Sequence, residues 1–420
     1  MAKKKIVLAY SGGLDTSVML KWLQEQYKSD VVSLTLDVGQ DDDFKKIEEK
    51  AWKLGVVNHY TMDTKLEFAT EYIWPAIKAN ALYMDTYPIS SSLSRPLIAK
   101  KMVEVAEIEG AAAVAHGCTG KGNDQVRFDV TVKALNPKLK IIAPVREWKF
   151  DRHSEIEYAK EHSIPVPVTI DSPYSIDQNL WGRSIEGGAL EYPEKEAPKE
   201  IWDWTKEIEN TPNTPDFITI GFQKGLPVSL DGVEMDPVSL ILKINKMGGE
   251  HGIGRIEHME DRTVGLKSRE TYEAPSPEII LSGHKDLEKM VLTVHQMLMK
   301  REIDHKWTTM VYQGLWVDPL KKDLEAFIDS SQENVTGWVT MKLFKGSAKP
   351  VKRGSDYSLY DYNLTSFDVN TKYDQGDAVG FINLWGLPSV SSWNLKRNLF
   401  DKETQEQSQK VAPTQTIQSK

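Results

Sequence analysis

The chain's 420 residues exceed what one core usually organises, so two domains are expected. A formal net charge of -9 with no basic block to offset it argues against a nucleic-acid face as the main business, and 27% charged with 40% hydrophobic residues is ordinary for a globular protein. One cysteine, Cys118, rules out an intramolecular disulfide and any cysteine-only zinc or cluster site, and no apolar run reaches membrane-spanning length.

Lys3, Lys4 and Lys5 resemble the start of a signal peptide, but the apolar run at 6–10 ends at Ser11, too soon for a signal core. A soluble cytoplasmic enzyme is expected. Ile6-Val7-Leu8-Ala9-Tyr10 reads as the first strand, and Ser11-Gly12-Gly13-Leu14-Asp15-Thr16-Ser17 leads from it straight into a helix. Gly12 and Gly13 can take positive φ, Ser11, Thr16 and Ser17 offer hydroxyls, and the amides of a helix N-terminus attract an anion. No lysine follows the second glycine, so this is no Walker A loop, and the spacing of a dinucleotide fingerprint is absent. The plainer alternative is a strand-to-helix turn with Asp15 or Thr16 as its cap.

Val18, Met19, Trp22 and Leu23 give the first helix an apolar stripe. Residues 31–36 read as a second buried parallel strand, and Phe44, Ile47, Ala51 and Leu54 as a helix closed by Gly55. Another helix is expected with Ser94 as cap and Pro96 in its first turn, stopping at Gly110. Residues 112–116 then form a short strand, and this doubly wound α/β domain ends near Ile164-Pro165-Val166-Pro167. Residues 171–215 read as long ordered loops. Strands are expected at 217–221 and 335–343, a hairpin turn at Asp231-Gly232, and a helix at 287–300. The segment 382–400 is apolar enough to need a partner surface, whereas 405–420 is polar and expected to be disordered. No internal repeat is visible.

A second glycine loop follows the strand at 112–116: His116-Gly117-Cys118-Thr119-Gly120-Lys121-Gly122-Asn123-Asp124-Gln125-Val126-Arg127-Phe128. Its glycines let the chain wrap closely around a ligand, beside a hydroxyl, an amide, a carboxylate and an arginine. Loops at one edge of a parallel sheet converge, so this loop can face Ser11-Gly12-Gly13 across one crevice. Cys118 reads as a packing residue and His116 as structural. Lys121 is only a weak candidate for phosphate. Gly248-Gly249-Glu250-His251-Gly252-Ile253-Gly254 has no strong strand before it and is not read as a nucleotide loop. No side chain stands out as a general base.

The string S-G-G-x-D-[ST]-S resembles the pyrophosphate loop of the N-type ATP pyrophosphatases. With the second loop, the chain resembles the argininosuccinate synthase family. Ser90-Ser91-Ser92-Leu93-Ser94-Arg95-Pro96, Ala143-Pro144-Val145-Arg146, Ser175-Ile176-Asp177-Gln178-Asn179-Leu180-Trp181, His251-Gly252-Ile253-Gly254-Arg255 and Gly265-Leu266-Lys267-Ser268-Arg269-Glu270-Thr271-Tyr272-Glu273 carry that resemblance onward. It implies an α/β pyrophosphatase domain (adenine nucleotide alpha hydrolase-like) at 1–166, an α+β synthetase domain at 167–365, an oligomerisation segment with a helix at 366–404 and a tail at 405–420. The polar tail departs from the family pattern.

The activity implied is ligation of L-citrulline to L-aspartate with ATP and magnesium, through a citrullyl-adenylate, in a homotetramer. For ATP the resemblance implies Ala9, Tyr10, Ser11, Gly12, Gly13, Leu14, Asp15, Thr16 and Ser17, with Leu36 beside the adenine and Gly117 in the second loop. Thr119, Asn123 and Asp124 would hold aspartate. Tyr87, Ser92, Asn123, Arg127, Ser175, Ser184, Glu260 and Tyr272 would hold citrulline. Within the same superfamily, thiolases and sulfonucleotide reductases need more cysteine than Cys118, and amidotransferases need an N-terminal cysteine where this chain has Met1-Ala2. A nucleotide sensor without turnover would keep 11–17 but would not need Asn123, Arg127 and Glu260.

Overall fold

The computed structural model describes residues 3–148, 152–165, 174–366 and 372–411. Val166 and Pro167, where the first domain was expected to end, lie outside them. Five strands form the first sheet: β1 (Lys5–Ala9), β2 (Asp30–Asp37), β3 (Asn58–Asp63), β4 (Ala113–Ala115) and β5 (Lys140–Ile142). All pair in parallel, in the order β3-β2-β1-β4-β5. Val7 and Leu8 are fully buried at neighbouring positions, because helices cover both faces of the sheet and a central strand must be apolar on each. The chain winds outward from β1 to β3 and returns to β4 on the other side. The ends of β1 and β4 therefore flank the switch point where such sheets bind ligands.

The helix Leu14–Gln26 buries Val18, Met19, Leu20 and Leu23 against this sheet. The helix Phe44–Lys53 begins at Asp43, whose side chain accepts from the Lys46 N–H, and Gly55 follows its end with φ +82°. The expected cap at Ser94 is overturned. That helix runs Ser90–Ile108 with Pro96 inside it, and its entry residue Ile89 is left-handed at φ 51°. The Ser91 N–H instead donates to the Tyr87 hydroxyl at 3.0 Å, so a tyrosine from the preceding loop performs the capping. The Ser94 hydroxyl turns back to the Ser91 carbonyl.

Beyond residue 173 two antiparallel sheets take over. One holds β6 (Tyr174–Asn179), β7 (Gly182–Gly187), β11 (Arg255–Asp261) and β12 (Lys267–Glu273) in the order β11-β12-β7-β6. The hairpin β6–β7 corrects the expectation of loops across 171–215; its strands, YSIDQN and GRSIEG, are mostly polar and carry neither an apolar run nor a regular alternation. The other sheet runs β10-β9-β8-β13-β14 and uses β8 (Asp216–Gln223), β9 (Leu226–Leu230), β10 (Val233–Glu234), β13 (Gly337–Phe344) and β14 (Ser347–Gly354). Asp231 and Gly232 make the β9–β10 turn with φ 52° and 79°, the pair of left-handed residues that a tight hairpin demands. The helix expected at 287–300 is two helices, Pro275–Val291 and Val294–Tyr312. Thr293 and Gln296 form a reciprocal capping box that restarts the chain.

The chain divides into two compact units, Met1–Leu359 and Tyr360–Lys420. The second is dominated by the helix Asp377–Val411, which passes through residues 405–411 where disorder was expected; 412–420 lie outside the described residues. Trp385, Leu384 and Trp393 on it are 70–76% exposed. Among the described residues no helix is long and apolar enough to cross a membrane.

Candidate active site

At the end of β1 the chain turns through Gly12 at φ +78°. A Cβ there would lie 2.8 Å from Ile47 Cγ1, so both conformation and space require glycine. Gly13 is the extended cap of the helix Leu14–Gln26, at φ -67° rather than the positive φ open to it, and no side chain caps the first turn. The amides there remain available to an anion. Ser11 and Thr16 share a hydroxyl hydrogen bond at 3.1 Å, the Ser17 hydroxyl donates to the Gly13 carbonyl at 2.6 Å, and Lys50 donates to the Gly12 carbonyl at 2.6 Å.

A cavity of about 640 Å³ opens beside this loop. Ala9, Tyr10, Ser11, Thr16, Leu36 and Gly117 line it. Gly12, Gly13, Leu14 and Asp15 stand in the loop and first helical turn without lining it, and Ser17 is wholly buried beneath them. The second glycine loop forms the opposite wall through Cys118, Thr119, Gly122, Asn123 and Asp124, so the convergence expected from the sheet edge is present. The Gln125 amide ties this loop to the carbonyls of Gly120 and Gly122. His116 is a brace: one ring nitrogen shares a hydrogen bond with Asp129 at 2.8 Å, the other accepts the Cys118 N–H, and the ring stacks on Phe128. Lys121 is exposed and does not line the cavity.

The third wall is one face of the β11-β12-β7-β6 sheet. Tyr272, Ser184 and Asp177 face one another across three strands, and Ser175 lies opposite Glu186. Directly opposed residues share a face, and alternation along each strand adds Glu260 and Glu270 to it. Ser175, Ser184, Glu260 and Tyr272 are thereby brought together with Tyr87 and Arg127. Ser92 is not: its buried hydroxyl has no hydrogen-bond partner and lies off the wall.

Charges in the cavity are tightly paired. Asp124 holds Arg95 and Arg127, each at 2.8 Å, and Arg95 also holds Asp177 at 2.6 Å. Burial alone would raise the Asp124 carboxyl, but Arg95 and then Arg127 outweigh it and keep it below the usual range. Glu260, 2% exposed, accepts the Tyr272 hydroxyl at 2.9 Å and a short hydrogen bond from Tyr312. Tyr87 stacks on Tyr272 with ring centres 4.0 Å apart, and burial pushes its hydroxyl up to about 12. Glu186 keeps half its side chain open to the cavity. Loss of water in the cleft, then Glu270, pushes its carboxyl up to about 7 against the pull of Arg262.

Arg95, Asp177, Glu186, Arg262 and Glu270 line the cavity, and Tyr312 bonds to its residues Asn123, Arg127 and Glu260 from behind, although sequence reasoning did not select them. Arg95 stood inside a matched string, and the alternation along β12 could have offered Glu270. Tyr312 carries no local signal.

An all-parallel nucleotide sheet with a phosphate-type loop at its switch point, facing polar walls from an antiparallel domain, defines a two-domain protein that presents small polar substrates to a nucleotide. Residues 5–165 match the family described as Arginosuccinate synthase N-terminal HUP domain, and residues 174–392 the Arginosuccinate synthase C-terminal domain. The argininosuccinate synthase of Pyrococcus furiosus is 54% identical over 391 residues, 93% of this chain and 95% of that protein. Those of Oceanobacillus iheyensis and Anoxybacillus flavithermus are each 54% identical over 389 residues, 93% of this chain and 93% and 96% of theirs. The chain belongs to the argininosuccinate synthase family.

Proposed function

We propose that this chain joins L-citrulline to L-aspartate in arginine biosynthesis, with ATP cleaved to AMP and pyrophosphate. The ureido oxygen of citrulline attacks the α-phosphorus and expels pyrophosphate, leaving a citrullyl-adenylate. The aspartate amine then attacks the ureido carbon, loses a proton and expels AMP, giving argininosuccinate. The observation that carries this reading is the single cavity shared by the Ser11–Thr16 loop and the Asn123, Arg127 and Glu260 cluster. Bringing three reactants together in one enclosure removes much of the entropic barrier to such a reaction.

Ser11, Thr16 and the first-turn amides suit phosphate oxygens, and Leu36 and Ala9 suit an adenine edge. Magnesium enters with the triphosphate, because the loop 11–17 offers hydroxyls and amides and, apart from the exposed Asp15, no carboxylate to a metal. Glu260 suits the citrulline ammonium and Arg127 its carboxylate. Thr119 and Asn123 suit aspartate, whose ammonium has to share Asp124 with Arg95 and Arg127. The domain limits proposed are 1–166 and 167–365. The exposed apolar helix Asp377–Val411 is proposed to bind other subunits of a cytoplasmic homotetramer.

Chromatography of nucleotides after incubation with magnesium-ATP tests the reaction. AMP and pyrophosphate are expected only with both amino acids present, alongside argininosuccinate. ADP, or AMP formed with neither amino acid, overturns the reading.

A further inference from the structure

Tyr312 closes the helix Val294–Tyr312 and reaches the cavity residues from behind. Its hydroxyl accepts from Asn123 Nδ2 at 2.8 Å and donates to Glu260 Oε1. Its carbonyl, at the negative end of the helix dipole, accepts from Arg127 Nε at 3.0 Å and Nη2 at 2.9 Å. The ring lies face to face with Tyr83, centres 3.5 Å apart, and Tyr83 is itself anchored to the Asp261 carbonyl. Gly314 permits this docking: at φ +80°, a Cβ there would press on the Arg127 backbone at 3.0 Å.

One residue therefore touches Asn123, Arg127 and Glu260. On its other side the Asn123 Oδ1 accepts the Thr263 N–H at 2.8 Å, so the oxygen stays anchored and the N–H end is the one that Tyr312 controls. A hydroxyl that donates to a carboxylate becomes a better acceptor for its other partner, because the two hydrogen bonds polarise one another. Neutralising Glu260 with an ammonium weakens the donated bond, and the hold on the Asn123 amide slackens with it. The freed N–H can then turn to a carboxylate in the cavity.

We propose that Tyr312 is a positioning residue that couples the two amino-acid subsites, so that citrulline at Glu260 releases Asn123 for aspartate. The inference rests on the proposed reaction for the identity of the two ligands. It adds a direction: each amino acid tightens the other, by equal factors, since linkage is reciprocal.

The test is calorimetric titration of the full chain with L-aspartate, with and without saturating L-citrulline, in the presence of magnesium and α,β-methylene-ATP. Citrulline is expected to tighten aspartate binding about fivefold, the low end of ordinary coupling between sites. In Tyr312→Phe, which keeps the ring on Tyr83 but frees the Asn123 amide at all times, the factor is expected to fall to about one, with aspartate alone bound about as tightly as by the citrulline-loaded wild type and KM for ATP unchanged. Tyr83→Phe should retain the coupling. Independent binding of the two amino acids to the wild type overturns the proposal without any variant, as does a Tyr312→Phe protein that keeps the full factor. A wild type that binds neither amino acid removes the proposed reaction itself, and the coupling with it.

Discussion

Gly12→Ala isolates what the first loop contributes. The new methyl group meets two separate obstacles: a backbone at φ +78°, and Ile47 Cγ1 at 2.8 Å. An L-residue in the left-handed region costs about 1–2 kcal/mol. Forcing a methyl into a filled space costs about 1–3 kcal/mol more. If the loop escapes by moving, the Gly13 cap and the amides behind it leave the positions proposed to surround the phosphates. With tenfold in rate for each ~1.4 kcal/mol, a total of about 2–5 kcal/mol lowers kcat/KM for ATP by at least about thirtyfold. The double variant Gly12→Ala with Ile47→Ala removes the overlap and leaves only the backbone cost. Pyrophosphate release, measured against ATP concentration, should therefore recover by about tenfold in the double variant. A Gly12→Ala protein with unchanged kcat/KM for ATP would refute this reasoning, and so would an Ile47→Ala background that restores nothing.

Glu186 ionises as the pH rises through about 7 and adds negative charge to the cavity proposed to accept a dicarboxylate. KM for aspartate should rise between pH 6 and 8, and Glu186→Gln should flatten that rise; an equal slope in both proteins counts against the assignment. Glu109 is held down to about 2 by hydrogen bonds from Lys5, Asn58 and Tyr60. The folded chain thus holds this proton less tightly than the unfolded one, so the carboxylate adds stability above about pH 4.3 that drains away as the pH falls to about 2. Calorimetric melting should show Glu109→Gln less stable than wild type at pH 7, with the gap closing in acid. Thr293→Ala removes the capping box between the two long helices and should cost about 1 kcal/mol in urea unfolding; an unchanged midpoint would mean that tertiary packing alone holds this start.

The parts legible in the sequence were those with one-dimensional signals. β1 and β2 are apolar runs because both faces of the sheet are covered, and Gly12 and the second glycine loop mark sharp turns after buried strands. β3 was invisible because it is an edge strand of polar residues, NHYTMD, with its side chains largely outside the core. Ser94 misled because capping was supplied through space by Tyr87. The join at Leu292-Thr293 was missed although Thr293 and Gln296 spell a helix start, since apolar periodicity runs across it. Arg95 and Tyr312 act across the fold, and nothing in their immediate neighbours reports what they touch. The walls from Ser175 to Tyr272 came from a family resemblance; the structure supplies its physical content, a shared sheet face.

The dependence of Asn123 and Arg127 on Tyr312 also bears on how the protein is made. Both glycine loops leave the ribosome within the first third of the chain, while Tyr312, which bonds to Asn123 and Arg127 in the proposed amino-acid subsites, is translated much later. A nascent chain halted between them owns a nucleotide sheet without a finished place for the partners of that nucleotide. Such a chain would lack the helix end whose hydroxyl and carbonyl hold Asn123 and Arg127 in place.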